Sequence, residues 1–229
     1  MITIESLSVS FGKLKVLNNI NLEIQEGDFI AVYGPNGCGK TTLLNCLAGI
    51  INYKGRILIN NKTPRNSKIS MVFQAYSDSI FPWKNVLDNI VFPLKINNIS
   101  NSRRNIAKMF LEDTILKQYL YYYPYQLSGG MQQLVNITRA FIYNPDVILL
   151  DEPFSSLDIN VKDQTKSELI NLWKKMKFTI ILVTHDLDEA ISMANKIIIL
   201  SNKPSNIIKI YDNNKLNPNI KNEILKNTK

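Results

Sequence analysis

The fold is decided by residues 29–41, which read FIAVYGPNGCGKT. Phe29–Tyr33 is a continuous apolar run, which is typical of a strand that is buried on both faces. Gly34–Thr41 matches the pattern G-x-x-x-x-G-K-[ST] and is followed by helical apolar spacing over Thr42–Ala48. We therefore predict a strand, a phosphate-binding loop and a helix in this order, with Gly49 as the C-terminal cap of the helix.

The loop pattern predicts contacts to a phosphate chain. Its glycines let consecutive backbone N–H groups turn toward phosphate oxygens, and the helix N-terminus adds its positive end. In this pattern Lys40 reaches the β- and γ-phosphates, and Thr41 gives its hydroxyl to Mg²⁺. The residues predicted to hold the phosphates are Gly34, Pro35, Asn36, Gly37, Cys38, Gly39, Lys40, Thr41 and Thr42.

A second apolar strand, Val147–Leu150, ends in the two carboxylates Asp151 and Glu152. Two carboxylates at the dry end of a buried strand are costly without a cation. In a phosphate site, Asp151 holds Mg²⁺ through its water and Glu152 polarises the attacking water. On its own such a pair is more often a helix cap, and the phosphate loop upstream favours the catalytic interpretation.

Apolar residues elsewhere in the chain follow the periods of strands and helices. The predicted strands are Ile2–Phe11, Ile20–Ile24, Arg56–Asn60, Ile69–Phe73, Val147–Leu150, Phe178–Val183 and Ile197–Leu200. The other predicted helices are Gly130–Tyr143, Val161–Met176 and Leu187–Ala194. Because strands and helices alternate after residue 145, we expect a parallel sheet covered by helices. The aromatic-rich stretch Gln74–Tyr125, which several prolines interrupt, predicts an inserted helical subdomain.

The composition indicates an ordinary globular protein. Of the 229 residues, 45% are hydrophobic and 20% are charged, which excludes a disordered chain, a collagen-like repeat and a disulfide scaffold. The net charge of +8 is compatible with nucleic acid, an anionic membrane surface, phosphate ligands or a Lys-rich solvated surface. Because no apolar run reaches about 18 residues and the N-terminus lacks a signal-peptide pattern, we expect a cytoplasmic protein.

The two cysteines, Cys38 and Cys46, lie on either side of Lys40. On one helical segment they are about 12 Å apart, which is too far for a disulfide, so we expect reduced thiols. Cys38 stands at a helix N-terminus, where the thiolate is favoured. We predict that Cys38 is the reactive thiol and that Cys46, further into the helix, is inert.

Further motifs appear in a fixed order around the loop. Leu127–Gln133 reads LSGGMQQ and opens a helix with a Ser cap, so its N–H groups form a second anion-binding end. Ser156–Asp158 follows the carboxylate pair, and His185 follows the next apolar strand. Phe11 precedes the loop and Gln74 follows it. The order of these motifs resembles that in the ATP-binding subunits of ABC transporters, and the resemblance covers nearly the whole chain.

The resemblance implies the fold, the cofactors and the site. The fold is α/β, a RecA-like P-loop NTPase core (1–75 and 145–229) with a small antiparallel N-terminal β-subdomain and a helical subdomain at about 76–144. ATP and Mg²⁺ are the implied cofactors. The implied catalytic residues are Lys40, Gln74, Glu152 and His185, and the implied Mg²⁺ residues are Thr41, Gln74 and Asp151. The implied nucleotide contacts outside the loop are Phe11 on the adenine together with Ser128, Gly129, Gly130, Gln133 and Asp158.

The resemblance also implies partners. Each loop lacks a cover for the γ-phosphate in its own chain, so two copies are expected to close head-to-tail over two ATP·Mg²⁺. A separate membrane permease and an extracytoplasmic solute-binding protein complete the implied transporter. The subunit is then expected at the cytoplasmic face of the membrane, and no nucleic-acid partner is expected.

One segment resembles a particular group within the family. Phe81-Pro82-Trp83 before Val86–Asn89 is similar to ATPases that drive uptake of nitrate, sulfonates, taurine or thiamine-pyrimidine precursors, and Ser201–Pro204 points the same way. The segment predicts a docking cleft for a permease helix, with Ile80, Phe81 and Trp83 as apolar anchors. The alternatives are a Pro-Trp element that only packs the subdomain, an exporter or lipid-transport ABC ATPase, and an ABC ATPase that acts on DNA or ribosomes.

Overall fold

The computed structural model describes residues 1–75, 79–97, 107, 110–112, 114–213 and 220–227. The chain divides into two compact units, each with its own hydrophobic cluster. The core unit comprises Met1–Met71, Asp146–Glu152 and Lys177–Lys229. The helical unit comprises Val72–Pro145 and Pro153–Met176.

The strands of the described residues form two sheets. They are β1 Ile2–Phe11, β2 Leu14–Ile24, β3 Phe29–Tyr33, β4 Lys54–Ile59, β5 Ile69–Val72, β6 Val147–Asp151, β7 Ile180–Thr184, β8 Lys196–Leu200 and β9 Ile207–Asp212. The smaller sheet is antiparallel, in the order β2-β1-β4. Along β1, Ile2 and Ile4 are buried, and an irregularity at Ser6, whose φ is 51°, resets the period so that Leu7 and Val9 are buried as well.

The larger sheet carries the site, in the strand order β5-β6-β7-β3-β8-β9. Strands β6, β7, β3 and β8 are parallel to one another, and β9 runs antiparallel to β8. All five residues of β6 and of β7 are buried, as the continuous apolar runs of these strands predict. Because the strands are parallel, β3, β6 and β7 end at the same edge of the sheet, which is where such folds bind ligands.

The helices of the described residues are α1 Lys40–Leu47, α2 Val86–Ile90, α3 Phe92–Ile96, α4 Gly129–Ile142, α5 Ile159–Met176, α6 Leu187–Met193 and α7 Ile220–Asn227. In the helical unit α4 packs against α5. The approach is so close that a Cβ at Gly130 would overlap the Val161 side chain. No helix among the described residues has both the length and the apolar character that crossing a membrane requires.

The structure confirms the predicted fold class, a mixed α/β cassette with an antiparallel and a parallel sheet. The unit division differs from the predicted subdomain boundaries at Pro153–Met176, because α5 packs on α4. Two described elements were not predicted: β9, and α7 in the Asn/Lys-rich end of the chain. Strand β2 also begins at Leu14, earlier than the predicted Ile20, because its first half pairs with the end of β1.

Candidate functional site

The candidate site lies in the core unit at the edge where β3, β6 and β7 end. The loop Gly34–Gly39 follows β3 and leads into α1. Asp151 ends β6 and Glu152 follows it, while His185 follows β7. The three segments are far apart in the chain, and the parallel pairing of β6 with β7 and of β7 with β3 brings them to one place.

The loop has the conformation of an anion cradle. Gly37 and Gly39 have φ values of +75° and +112°, which side chains with a Cβ rarely adopt. A Cβ at Gly39 would also lie 2.8 Å from Val16 Cγ1, so β2 leaves no room for a larger residue. The loop therefore turns tightly into α1, and the N-terminal N–H groups of that helix are available to an anion.

Lys40 is 5% exposed, although it carries a full positive charge. Its Nζ donates to the carbonyl oxygens of Gly34 at 2.9 Å and of Pro35 at 3.1 Å. Two neutral carbonyls only partly replace the hydration of a buried ammonium. A phosphate group in the cradle would supply the missing negative charge.

Thr41 and Asp151 form an oxygen donor pair. The Thr41 hydroxyl donates to Asp151 Oδ1 at 3.0 Å. Burial raises the pKa of the Asp151 carboxyl above its usual range, and the charge of Glu152 adds to this, whereas the Thr41 hydrogen bond and Lys40 oppose it. A buried carboxylate beside a hydroxyl is the kind of incomplete oxygen set that Mg²⁺ shares with substrate phosphates. No three His, Cys, Asp or Glu side chains of the described residues cluster as a metal site by themselves.

Glu152 and His185 are in direct contact. His185 Nδ1 lies 2.9 Å from Glu152 Oε2, and because an ionised carboxylate only accepts hydrogen bonds, the ring nitrogen is the donor. Glu152 has a φ of +45°, an unusual value for a residue other than glycine. Its backbone N–H donates to the Val183 carbonyl at 3.0 Å, which holds this conformation. Unusual backbone held in this way is common at functional sites.

The site contains a cavity of about 480 Å³, within the range of small-molecule and cofactor sites. Its walls are formed by Phe11, Leu14, Val16, Asn36, Gly37, Gly39, Lys40, Thr41, Thr42, Glu152, His185 and Lys203. Of the loop residues predicted to hold phosphates, Gly34, Pro35 and Cys38 do not line it. Asp151, predicted to hold Mg²⁺, does not line it either. Three residues of the cavity wall, Leu14, Val16 and Lys203, were not predicted as site residues. The apolar residues at alternating positions of β2 could have indicated Leu14 and Val16. No pattern in the neighbouring sequence indicates that Lys203 lies at the cavity.

The remaining predicted site residues belong to the helical unit. Gln74 follows β5, and its Nε2 donates to the Ser155 hydroxyl at 3.1 Å. The Ser128 hydroxyl caps α4 by accepting from the Met131 N–H at 3.3 Å, and Gly129 begins the helix. Asp158 is exposed immediately before α5.

Gln133 differs from its predicted role as a nucleotide contact. The residue is completely buried, and its Nε2 donates to the Pro153 carbonyl at 2.7 Å. In the described residues it joins α4 to the segment that follows Glu152 in sequence. Its side chain is therefore a packing element of the helical unit in this conformation.

The predicted apolar anchors do not all face solvent. Ile80 is 6% exposed and belongs to the hydrophobic cluster of the helical unit, so its predicted docking role is wrong. Phe81 is partly buried between Phe92 and the Arg139 guanidinium. Trp83 is 70% exposed and is the anchor that remains available. Residues 76–78, which lie between Gln74 and these anchors in the sequence, are outside the described residues.

The prediction of a reactive Cys38 is wrong. Cys38 is 2% exposed, and burial raises the pKa of its thiol more than Lys40 and neighbouring backbone N–H groups lower it. Cys46 is also buried, and burial raises the pKa of its thiol to about 12. The helix N-terminus is present, but the Cys38 side chain is buried in the hydrophobic cluster of the core unit.

We expect both thiols of the native protein to resist alkylation at pH 8, because the thiolate is the reacting form and neither sulfur is accessible. The measurement is the mass of the protein after incubation with iodoacetamide, with a small-molecule thiol in the same tube as the reactivity control. Denaturant should then expose both cysteines to labelling. Rapid labelling of native Cys38 alone would restore the original prediction.

Comparison with known proteins places the chain in a family. The family model described as ABC transporter matches residues 17–155. An aliphatic sulfonates import ATP-binding protein, SsuB, of Bacillus thuringiensis subsp. konkukian is 41% identical over 206 residues, which cover 89% of this chain and 80% of that protein. A taurine import ATP-binding protein, TauB, of Escherichia coli O157:H7 is 39% identical over 212 residues, which cover 91% of this chain and 82% of that protein.

Solved structures agree with the sequence comparisons. The dimeric structure of a bacterial ABC transporter cassette is 30% identical, has a TM-score of 0.76, and is matched over 94% of this chain and 100% of that chain. An ABC transporter in an inward-facing conformation is 28% identical, with a TM-score of 0.80 and a match over 99% of this chain and 88% of that chain. The chain belongs to the ABC transporter family and is an ATP-binding, ATP-hydrolysing subunit of that family.

Proposed function

We propose that this ATPase energises the uptake of a small solute, of the sulfonate, taurine, nitrate or pyrimidine type, through a separate membrane permease. The observation that carries the proposal is the likeness, over about nine-tenths of the chain, to proteins named for sulfonate and taurine import. The exposed Trp83 supports it, because it offers an apolar anchor for a partner. The proposed location is the cytoplasmic face of the membrane, bound to the permease.

The cavity of the core unit holds the nucleotide in this proposal. The adenine stacks on Phe11, which is 54% exposed at the cavity wall. The N–H groups of the loop and the Lys40 ammonium bind the phosphates. Thr41 and Asp151 are the residues of the core unit that hold Mg²⁺, and Gln74 of the helical unit is the third proposed metal residue. When bound, Mg²⁺ neutralises charge on the phosphate oxygens.

Glu152 is the proposed general base. Its carboxylate accepts a proton from the water that attacks the γ-phosphate, and His185 orients that carboxylate through the 2.9 Å hydrogen bond. The cavity wall includes both side chains, so each can reach a bound nucleotide.

A second copy of the chain is the proposed partner that completes the site. The N-terminal N–H groups of α4 at Ser128, Gly129 and Gly130 are suited to a phosphate, and Asp158 is exposed beside the start of α5. We assign these residues to the nucleotide of the other protomer in a head-to-tail dimer. A solved relative described as a dimeric ABC transporter cassette supports an assembly of two chains.

The backbone of the docking loop, Phe81–Asn85, is held by hydrogen bonds on both sides of Trp83. Asn89 is completely buried beneath the loop, and its Nδ2 donates to the carbonyls of Phe81, Lys84 and Asn85 at 3.0–3.1 Å. Its Oδ1 accepts from the Phe81 N–H at 2.9 Å. Because the amide nitrogen carries two protons, at most two of the three carbonyls are bonded at one time, and the side chain makes up to three hydrogen bonds to the backbone. A rigid loop loses little entropy when a partner binds, which favours a docking role for Trp83.

Replacing Trp83 with Ala is expected to weaken binding of the subunit to its permease by about 2 kcal/mol, or roughly thirtyfold in Kd, if Trp83 is a hot spot. The measurement is a quantitative pull-down with the detergent-solubilised permease. ATP affinity and melting temperature should not change, because the side chain is 70% exposed. The matched control is Tyr125→Ala, since Tyr125 is an 80% exposed aromatic residue of the same unit. Equal effects of the two variants would contradict the docking assignment.

The proposed import function is tested with the subunit, its permease and the solute-binding protein reconstituted in liposomes. Taurine, an alkyl sulfonate or nitrate, loaded on the binding protein, should stimulate ATP hydrolysis, and labelled solute should move away from the compartment of the binding protein. Movement of solute toward that compartment would identify an exporter. Association of the purified subunit with DNA or ribosomal particles, in place of a permease, would reject transport.

A further inference from the structure

We propose that Lys203 is a second phosphate-binding cation of the nucleotide site and acts on the α- and β-phosphates. The inference rests on the proposed nucleotide cavity, and it gives a role to a residue of the Ser201–Pro204 segment, to which the family resemblance assigned no contact with the nucleotide. Lys203 lies in the turn between β8 and β9, and the residue forms part of the cavity wall together with Lys40 and Thr41.

The turn that carries Lys203 is fixed to the cradle. Ser205 is completely buried, and its hydroxyl lies within hydrogen-bond distance of two carbonyls, that of Cys38 in the phosphate loop and that of Ser201. Its one proton is shared between these two acceptors. The Ser205 N–H donates to the Val16 carbonyl at 2.8 Å, and the Asn18 N–H donates to the Ser205 carbonyl at 2.8 Å. Lys203 is therefore held close to the loop by backbone that pairs with β2.

The charge of Lys203 is available to a ligand. Lys40 already donates to two carbonyls of its own loop. Lys203 is exposed and makes no ion pair or hydrogen bond with another side chain of the described residues. The positive charge of Lys203 acts on the loop, because it lowers the pKa of the Cys38 thiol. Burial of the thiol has the larger effect and raises that pKa. An exposed cation at the wall of an anion site attracts the ligand, and no ion pair with another side chain has to be broken first.

The position along the loop indicates which phosphates Lys203 meets. The backbone N–H groups in the middle of a phosphate loop surround the α- and β-phosphates, and the Lys at its end reaches the β- and γ-phosphates. Ser205 ties the turn to Cys38, in the middle of the loop. Lys203 therefore stabilises ADP and ATP to the same extent, and it acts on binding more than on the hydrolysis step.

The test compares Lys203→Ala and Lys203→Glu with Lys15→Ala, which removes an exposed lysine between the wall residues Leu14 and Val16 of the same cavity. Binding of ATP, ADP and adenosine is measured by calorimetric titration. We expect Lys203→Ala to lower affinity for ATP and ADP by about five- to tenfold, and Lys203→Glu to lower it further, with adenosine binding unchanged. Lys15→Ala should have no effect.

Three outcomes would overturn the proposal. The Lys203 variants could bind ATP and ADP as tightly as Lys15→Ala does, or they could lose as much affinity for adenosine as for the nucleotides. They could also lose affinity for ATP and keep their affinity for ADP. The Lys40→Ala variant distinguishes an error in the role of Lys203 from an error in the proposed nucleotide site. If Lys40→Ala abolishes ATP binding while Lys203→Ala does not change it, the nucleotide site stands and the role of Lys203 is rejected. Measured melting temperatures above the titration temperature confirm that each variant is folded.

Discussion

Glu152→Gln is expected to lower the rate of ATP hydrolysis by about 10²- to 10⁴-fold while ATP still binds. The amide has nearly the same size as the carboxylate, and its oxygen can still accept the hydrogen bond from His185 Nδ1. It cannot take a proton from water. Phosphate release in a single turnover measures the first effect, and equilibrium titration with ATP measures the second.

The matched control for this prediction is Glu23→Gln, which removes an exposed carboxylate of β2 on the same unit. It should hydrolyse ATP at the normal rate. If the Glu152→Gln variant kept the normal rate, another group would have to be the base, and the contact between Glu152 and His185 would be structural. A loss of ATP binding would instead indicate that the unusual backbone at Glu152, with its φ of +45°, depends on the charge.

Lys40→Ala is expected to lower the affinity for ATP by at least about 100-fold, close to 3 kcal/mol, because a charged contact to phosphate is lost inside a largely buried site. Lys40 is 5% exposed, and its ammonium is held against the loop at the carbonyl of Gly34. Calorimetric titration with ATP measures the change. The control is Lys62→Ala, at an exposed position outside the cavity wall. Unchanged affinity in Lys40→Ala would reject the phosphate loop as the binding site.

The parts of the site that could be predicted from the sequence are those that depend on neighbours in the chain. Gly34–Thr41 carries its function in one continuous loop, and the glycine φ values follow from the turn that the pattern requires. The pair Asp151 and Glu152 could be recognised because two carboxylates end an apolar strand. Parallel strands then bring their carboxyl ends together, so the meeting of Glu152 with His185 follows from the fold class.

The parts that were missed depend on tertiary packing. Cys38 has the helix N-terminus that favours a thiolate, but its burial raises the pKa of the thiol, and no local pattern reports that burial. Ile80 and Trp83 have similar apolar character, yet one is in the interior and the other is 70% exposed. Lys203 reaches the cavity wall only because β9 forms a hairpin with β8, and that strand was not predicted.

In the proposed dimer two chains close over ATP, so that each nucleotide is bound by Lys40 of one chain and by Ser128–Gly130 of the other. The most direct test is the mass of the Glu152→Gln variant by light scattering, because blocked hydrolysis lets the closed state accumulate. With ATP·Mg²⁺ we predict the mass of two chains and one bound ATP per chain. With ADP, or for the double variant Glu152→Gln and Lys40→Ala with ATP·Mg²⁺, we predict the mass of one chain. If the Glu152→Gln variant had the mass of one chain while saturated with ATP, the proposed closure of two chains over ATP would be contradicted.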